Sequence, residues 1–316
     1  MTPASSPDRR ASLLAYIDSV LSTPAPAPAR QIASALVGRY PGAAIILYGS
    51  GISVSAGEDP GEILFDYYVI APDYRSAVPG ALERFAARAL PPNAYYVEIE
   101  TPVGRLRAKY ALLSVDAFER LVSQRTFHSY FWARFAQPCR LVECQADLRP
   151  RMIEAVASAA ATFLGRAKGL APEGACWRDV WLAGMNASYR AELRAEGGGR
   201  ALALIEAYGD WPERLAAFAM PEGPGAKGSA LAWRLRAVQG GVLSIARLLK
   251  ATTTFKGGID YIAWKVKRHA GVDVGVRPWE RRHPFIAAPI VAARYYRMKS
   301  AARRAGWDQI DLPPSS

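Results

Sequence analysis

Cysteine and histidine are scarce in this chain. Three of each are spread over 316 residues. Cys139, Cys144 and Cys176 make no disulfide framework. With His128, His269 and His283 far apart in sequence, no tight Cys/His set for zinc stands out. The thiols are expected as buried groups in a reducing compartment. Long apolar runs are missing too: none reaches the roughly 18 residues needed to cross a bilayer. The opening MTPASSPDRR lacks the apolar stretch of a signal peptide. A soluble or peripheral protein is expected.

What the chain does contain is a substantial core. It is 51% hydrophobic and 10% aromatic, enough for one large or two medium folded domains. Its net charge of +12 is unevenly placed. From Leu231 onward, 16 Lys and Arg stand against 5 Asp and Glu, or +11, which leaves the first 230 residues at +1. A basic partner surface therefore belongs to the C-terminal third.

The most informative stretch is 43–73. A short apolar strand, Ala43–Leu47, runs into Tyr48-Gly49-Ser50-Gly51, and a second strand, Ile63–Ile70, carries one acid, Asp66. A Gly-Ser turn lets backbone N–H groups approach phosphates. An acid inside an apolar strand needs a partner or a metal. Together they give the layout of a nucleotidyltransferase core. Tyr68 stands two residues on, where many such enzymes place a second carboxylate. Further acids would have to come from elsewhere. Glu58 and Asp59, in the loop SAGEDPG, read as solvated turn residues.

Ala94–Glu100 and Arg105–Tyr110 read as a hairpin, with Glu98 and Glu100 on one face and Arg105, Arg107 and Lys109 on one face of the return strand. Two readings stand. Either the charges pair across the hairpin in water, or a glutamate completes a metal site while Lys109 neutralises a triphosphate.

Helices are expected at Ser12–Leu21, Arg30–Arg39 and Val78–Ala89, and the pattern turns mainly helical from Ser114. Trp177, Trp181, Met185 and Tyr189 repeat every four residues and form one stripe. Arg190, Glu192 and Arg194 read as a charged helix end, with Glu196 before the Gly197–Gly199 stop. PEGPGAKG is the clearest linker. Leu231–Lys250 is apolar and basic, interrupted by Gly240-Gly241. FKGGIDYIAWKVKRH, at 255–269, is a basic amphipathic segment. Such helices can lie on an anionic membrane, bind nucleic-acid phosphates, or form a solvated basic face.

The order of these motifs resembles the mitochondrial-type phosphatidate cytidylyltransferases (the Tam41/Mmp37 family) over roughly residues 40–270. The likeness rests on YGSG at Tyr48–Gly51, FDYYV with Asp66, RAKYALLSVD at Arg107–Asp116, ARFAQPCRLV at Ala133–Val142, SYRAELRAE, and LLKATTTFKGGIDYIAWKVKR. The resemblance implies an α+β fold: a nucleotidyltransferase-like mixed sheet with helices, a helical, winged-helix-like domain, and a basic amphipathic segment at the membrane. The divisions expected are 1–114, 115–222 and 223–316.

It also implies transfer of CMP from CTP to phosphatidate with a magnesium-type ion. Gly49, Ser50 and Gly51 would hold the phosphates and Asp66 the metal; the functional reading of the hairpin adds Glu98 or Glu100 beside it. Lys109 would neutralise the triphosphate, and Arg190 and Glu196 would close the site. A bacterial cytoplasmic setting is expected, peripheral on the inner face of the membrane, with phosphatidate and anionic lipid as partners. The rival expectations are a nucleotidyltransferase acting on RNA or another soluble acceptor, and a catalytically inactive nucleotide- or membrane-binding adaptor.

Overall fold

Five strands carry the alternating and apolar stretches of the first half: β1 (Ala44–Tyr48), β2 (Leu64–Ala71), β3 (Asn93–Thr101), β4 (Gly104–Ser114) and β5 (Cys139–Glu143). They form one sheet in the order β3-β4-β2-β1-β5. β2 and β4 run parallel, and the remaining neighbours are antiparallel. The computed structural model describes residues 6–52, 59–102, 104–192, 199–226, 229–254 and 277–279. The fold is α+β, as the sequence leads one to expect.

The helices among the described residues are α1 (Ser6–Leu21), α2 (Ala27–Arg39), α3 (Tyr74–Ala77), α4 (Ala81–Ala89), α5 (Val115–Val122) and α6 (Tyr130–Phe135). After β5 come α7 (Arg149–Lys168), α8 (Trp177–Ala191), α9 (Gly199–Ala207), α10 (Trp211–Ala219) and α11 (Ser229–Thr254). The helix expected over Val78–Ala89 starts later, as α4 at Ala81, because Val78-Pro79-Gly80 does not continue the short helix α3 before it. Gly240-Gly241 does not break α11. Gly240 lies so close to α8 that a Cβ there would come within 2.4 Å of the Ala191 carbonyl oxygen.

Strand alternation sends the side chains of β2 to two faces. Tyr67 points to α2, where its hydroxyl donates to the Ala29 carbonyl at 2.8 Å. Tyr40 and Tyr110 meet hydroxyl to hydroxyl at 3.1 Å in the same buried layer. On the opposite face Tyr68 packs under α6, its ring centroid 4.8 Å from Phe135. The Trp181–Met185–Tyr189 part of the expected α8 stripe is buried. Buried tryptophans need a partner for their one polar atom. Trp181 donates to the Pro212 carbonyl at 2.9 Å and Trp211 to that of Ala136 at 2.8 Å.

The expected divisions after residues 114 and 222 do not match these contacts. β5 lies beyond residue 114 yet pairs with β1 inside the sheet. α1 packs on α7 and α10, and α11 packs on α8 and β3. Buried residues from Leu13 to Trp233 form one hydrophobic cluster. Sheet and helices therefore share a core. Among the described residues no strand follows Glu143, so the helical part has no wing there.

Candidate active site

The site begins where β1 ends. Tyr48 leads into a single 3₁₀ turn, Gly49–Ile52. Gly49 has φ +74°, and a Cβ on it would approach Asp66 Oδ2 at 3.4 Å. A residue with a side chain is strained in this conformation, so glycine brings the turn's backbone directly beside the carboxylate. Ser50 also faces the open side. Gly51 does not: it is buried against Phe65 and belongs to the packing under the turn.

Asp66 sits on β2, level with Tyr48 on β1 and with Lys109 on β4. Register partners side by side in a sheet point the same way, and Lys109 Nζ lies 3.0 Å from Asp66 Oδ1. The carboxylate is 19% exposed and the lysine 42%. Gly49, Ser50, Asp66 and Lys109 thus line one cavity of about 730 Å³, a size that suits a nucleotide-sized ligand.

α6 and α8 build the opposite wall. Arg134, on α6, pairs with Glu192 at 3.3 Å, with side chains only 15% and 9% exposed. Its guanidinium lies over the rings of Tyr48 and Tyr130, 5.2 and 5.3 Å from their centroids. Burial works against its charge, but Tyr68, Glu192, Tyr48 and Tyr130 outweigh that and hold its pKa well above the ordinary value. Arg134 stays a cation. Tyr68 is the reverse case: burial, with Tyr130 beside it, pushes its hydroxyl far above the usual range. It remains a neutral phenol and cannot act as the missing second carboxylate.

Tyr189, Arg200 and Tyr208 complete the far side. Tyr208 donates to Gln137 Oε1 at 2.7 Å. Arg134 and Gln137 stand out in sequence only as part of the ARFAQPCRLV stretch. A fuller signal was present: Tyr130 and Arg134 are four residues apart on one helix, so their side chains meet. Tyr189, Arg200 and Tyr208 carry no such local signal.

Several expected site residues lie elsewhere. Glu98 and Glu100 do not line the cavity. Glu98 is opposite Arg107, which it meets at 3.2 Å, and also accepts from the Tyr96 hydroxyl at 2.6 Å. Glu100 is opposite Arg105, at 2.6 Å. The hairpin charges pair with each other. Arg190 is exposed on α8, which presents Tyr189 to the cavity instead. Glu196 and Glu58 fall outside the described residues.

The arrangement bears on which metal could fit. Among the described residues no group of three or more His, Cys, Asp or Glu side chains could hold an ion. A site built from Asp66, Glu98 and Glu100 does not fit. Magnesium commonly keeps most of its shell from water and substrate phosphate and takes one or two carboxylates. Asp66, at the edge of the Gly49–Ser50 turn, fits that role.

Compared with known proteins, the chain matches no family model, and no curated protein matches it.

Proposed function

We propose that this chain is a nucleotidyltransferase that transfers CMP from CTP to phosphatidate and releases diphosphate. The observation that carries the reading is Asp66 and Lys109 side by side at the Gly49–Ser50 turn, on the wall of a nucleotide-sized cavity. The acceptor and the base rest on the motif order, and the cavity supports the phosphate chemistry. Lys109, Arg134 and Arg200 stand on its walls with the Asp66 carboxylate. That lining suits a polyanion better than a neutral ligand.

In this reading the turn at Gly49 and Ser50 seats the triphosphate, and the tyrosines of the far wall offer faces to the base. Lys109 and Arg134 neutralise the charge that collects on the β- and γ-phosphates. A phosphate oxygen of phosphatidate attacks the α-phosphorus of CTP in line. The new P–O bond forms as the bond to the bridging α–β oxygen breaks, and diphosphate leaves with that electron pair. The attacking phosphate is already ionised, so no side chain needs to remove a proton. Asp66 would hold a magnesium ion, which when bound would draw charge from the leaving group. The rest of the acceleration is positioning.

No helix among the described residues is long and apolar enough to cross a membrane. Reaching a lipid headgroup would therefore fall to the basic stretch after residue 254, which lies outside the described residues except at 277–279. Well-placed Lys and Arg near anionic lipid contribute about 1 kcal/mol each.

The test is diphosphate release from CTP and Mg²⁺, with and without phosphatidate vesicles, beside Asp66→Asn. Release that needs phosphatidate and vanishes in the variant supports the proposal. Release only with RNA or a soluble acceptor would replace the lipid. Among the described residues Asp66 is the one carboxylate on the cavity wall, which favours one second reading, a nucleotide-binding adaptor, for which CTP would bind without turnover on any acceptor.

A further inference from the structure

α11 turns several of its cations toward the body. Arg236 donates to the Phe127 carbonyl at 2.9 Å. Lys250 donates to the Leu90 carbonyl and, at 2.7 Å, to Asn93 Oδ1. Arg247, on the same helix, is held differently.

Its Nε donates to the Pro91 carbonyl at 2.8 Å, and its guanidinium lies 4.3 Å from the Tyr130 ring centroid and 5.6 Å from that of Phe131. These contacts fix the group but use only its Nε–H donor. Among the described residues the two terminal nitrogens make no hydrogen bond, and neither is sealed from water. A guanidinium oriented in advance, with that pair of nitrogens unused, matches the geometry of a phosphate.

The anchoring residues lead to the cavity. Tyr130 lines it, and so does Pro92, the residue after Pro91. Arg247 therefore adjoins that part of the wall. The Tyr130 ring also lies 5.3 Å from the Arg134 guanidinium, so two cations share one ring. Glu192 pairs with Arg134 at 3.3 Å. Among the described residues Arg247 has no carboxylate at ion-pair distance. Burial pulls its pKa below the ordinary value, and Tyr130, Tyr68 and Glu192 do not offset that. It stays charged all the same. A partly buried cation without a counter-ion is costly, and an arriving anion relieves the cost.

The reaction proposed above needs such a cation. It brings two phosphate-bearing molecules together, and like charges repel. Lys109, beside Asp66, and Arg134, beside Glu192, face the triphosphate in that reaction. Arg200 is exposed on the far side, with the tyrosines that meet the base. The attacking phosphate has no holder among them.

We propose that Arg247 binds the phosphomonoester of the acceptor through its two terminal nitrogens, at the Pro92–Tyr130 part of the cavity. The assignment rests on the reading of this chain as a CMP transferase with a phosphate acceptor. Two oxygens of the phosphate accept from the guanidinium, and the third is left to attack the α-phosphorus of CTP. A lipid headgroup and a soluble phosphate ester carry the same group, so the rest of the acceptor decides between them.

The test uses the full chain and two readouts. Diphosphate release with phosphatidate vesicles gives the kinetics. Arg247→Gln should raise the KM for phosphatidate about 10-fold or more, the loss expected for a hydrogen-bonded charge, while the KM for CTP stays within about twofold. Arg247→Lys restores a cation and should recover part of that loss. Calorimetry without CTP gives binding alone, with dihexanoyl phosphatidate, glycerol 3-phosphate, and dihexanoylglycerol as the phosphate-free control. The parent should bind dihexanoyl phosphatidate, Arg247→Gln should bind it about 10-fold more weakly, and neither should bind the control.

Binding that depends on Arg247 without diphosphate release upholds the subsite and removes the CMP-transfer reading. Turnover in the parent, with acceptor KM and binding unchanged in Arg247→Gln, does the reverse. Equal losses for CTP and acceptor, with a lower melting temperature that Arg247→Lys does not restore, make Arg247 a tether of α11 and overturn the proposal. A parent that binds neither phosphate ester overturns it too. Arg247-dependent binding that is tighter for the lipid upholds a headgroup subsite, and equal binding of glycerol 3-phosphate upholds one for soluble esters.

Discussion

Lys109 Nζ lies 3.0 Å from Asp66 Oδ1 across the parallel β2–β4 pair, and the two residues are exact register partners. Neither is deeply buried, so the pair adds little to stability. Its position beside the Gly49–Ser50 turn gives it another use. A carboxylate that holds a cation and a lysine that meets phosphate are best placed when each orients the other before the ligand arrives. Asp66→Asn should therefore cost at least about 100-fold in diphosphate release, with the melting temperature nearly unchanged. Lys109→Met should cost a similar factor. If either keeps parental turnover, the pair is structural.

The paired hairpin makes the opposite prediction for the other acids. Glu98→Gln and Glu100→Gln should keep turnover within about twofold and stability within about 0.5–1 kcal/mol, as expected of exposed ion pairs. Loss of activity comparable to that of Asp66→Asn would place a hairpin glutamate in the chemistry after all.

Gly49→Ala tests the turn. The left-handed conformation costs a residue with a Cβ about 1–2 kcal/mol, and the new methyl would press on Asp66 Oδ2. Activity should fall by a larger factor than stability alone explains. Titration with CTP, followed by protection against urea, separates loss of phosphate binding from loss of fold.

These residues differ in how readable they were. Gly49, Ser50 and Asp66 lie within one stretch of chain, where strand alternation and turn chemistry act locally, so the sequence points to them directly. Lys109 comes from a parallel strand more than forty residues away, and pattern alone gives its face but not its neighbour. The same limit misplaced Glu98 and Glu100: alternation groups them correctly, while the cross-strand register decides that Arg107 and Arg105 take them. β5 lies beyond Ser114, where the sequence pattern turns mainly helical, and only its pairing with β1 puts it in the sheet. In α11 the periodicity is plain, but which side faces water depends on carbonyls and rings from the body. Burial and non-local pairing decide these points, and neither has a local signature.

His128 supplies a pH signature. Burial first, and then the charges of Arg247 and Arg166, push its imidazole down to about 4. Between its ordinary 6.5 and that value, the unfolded chain binds a proton that the folded protein does not. The associated stability is present above pH 6.5 and is lost as pH falls toward 4. His128→Phe keeps a ring beside Phe131 and removes the titration. Urea unfolding should show the parent losing about 2–3 kcal/mol more than the variant between pH 7 and pH 4. Parallel losses in the two proteins would mean that His128 is protonated equally in both states.

Arg134 and Glu192 give the sharpest energetic contrast. Both side chains are nearly inaccessible, 15% and 9% exposed, and the pair joins α6 to the end of α8. Removing one partner of such a pair leaves a charge in a poorly solvated place, so Glu192→Ala should cost about 3 kcal/mol or more in urea unfolding. Removing both need not, because an apolar pair of similar volume avoids desolvating either ion. Arg134→Met with Glu192→Leu should therefore recover much of the stability lost by Glu192→Ala alone. Turnover should not follow: Arg134 lines the cavity, and in the proposed reaction its charge meets the phosphates. A stable double variant that still turns over at the parental rate would confine Arg134 to holding the helices together.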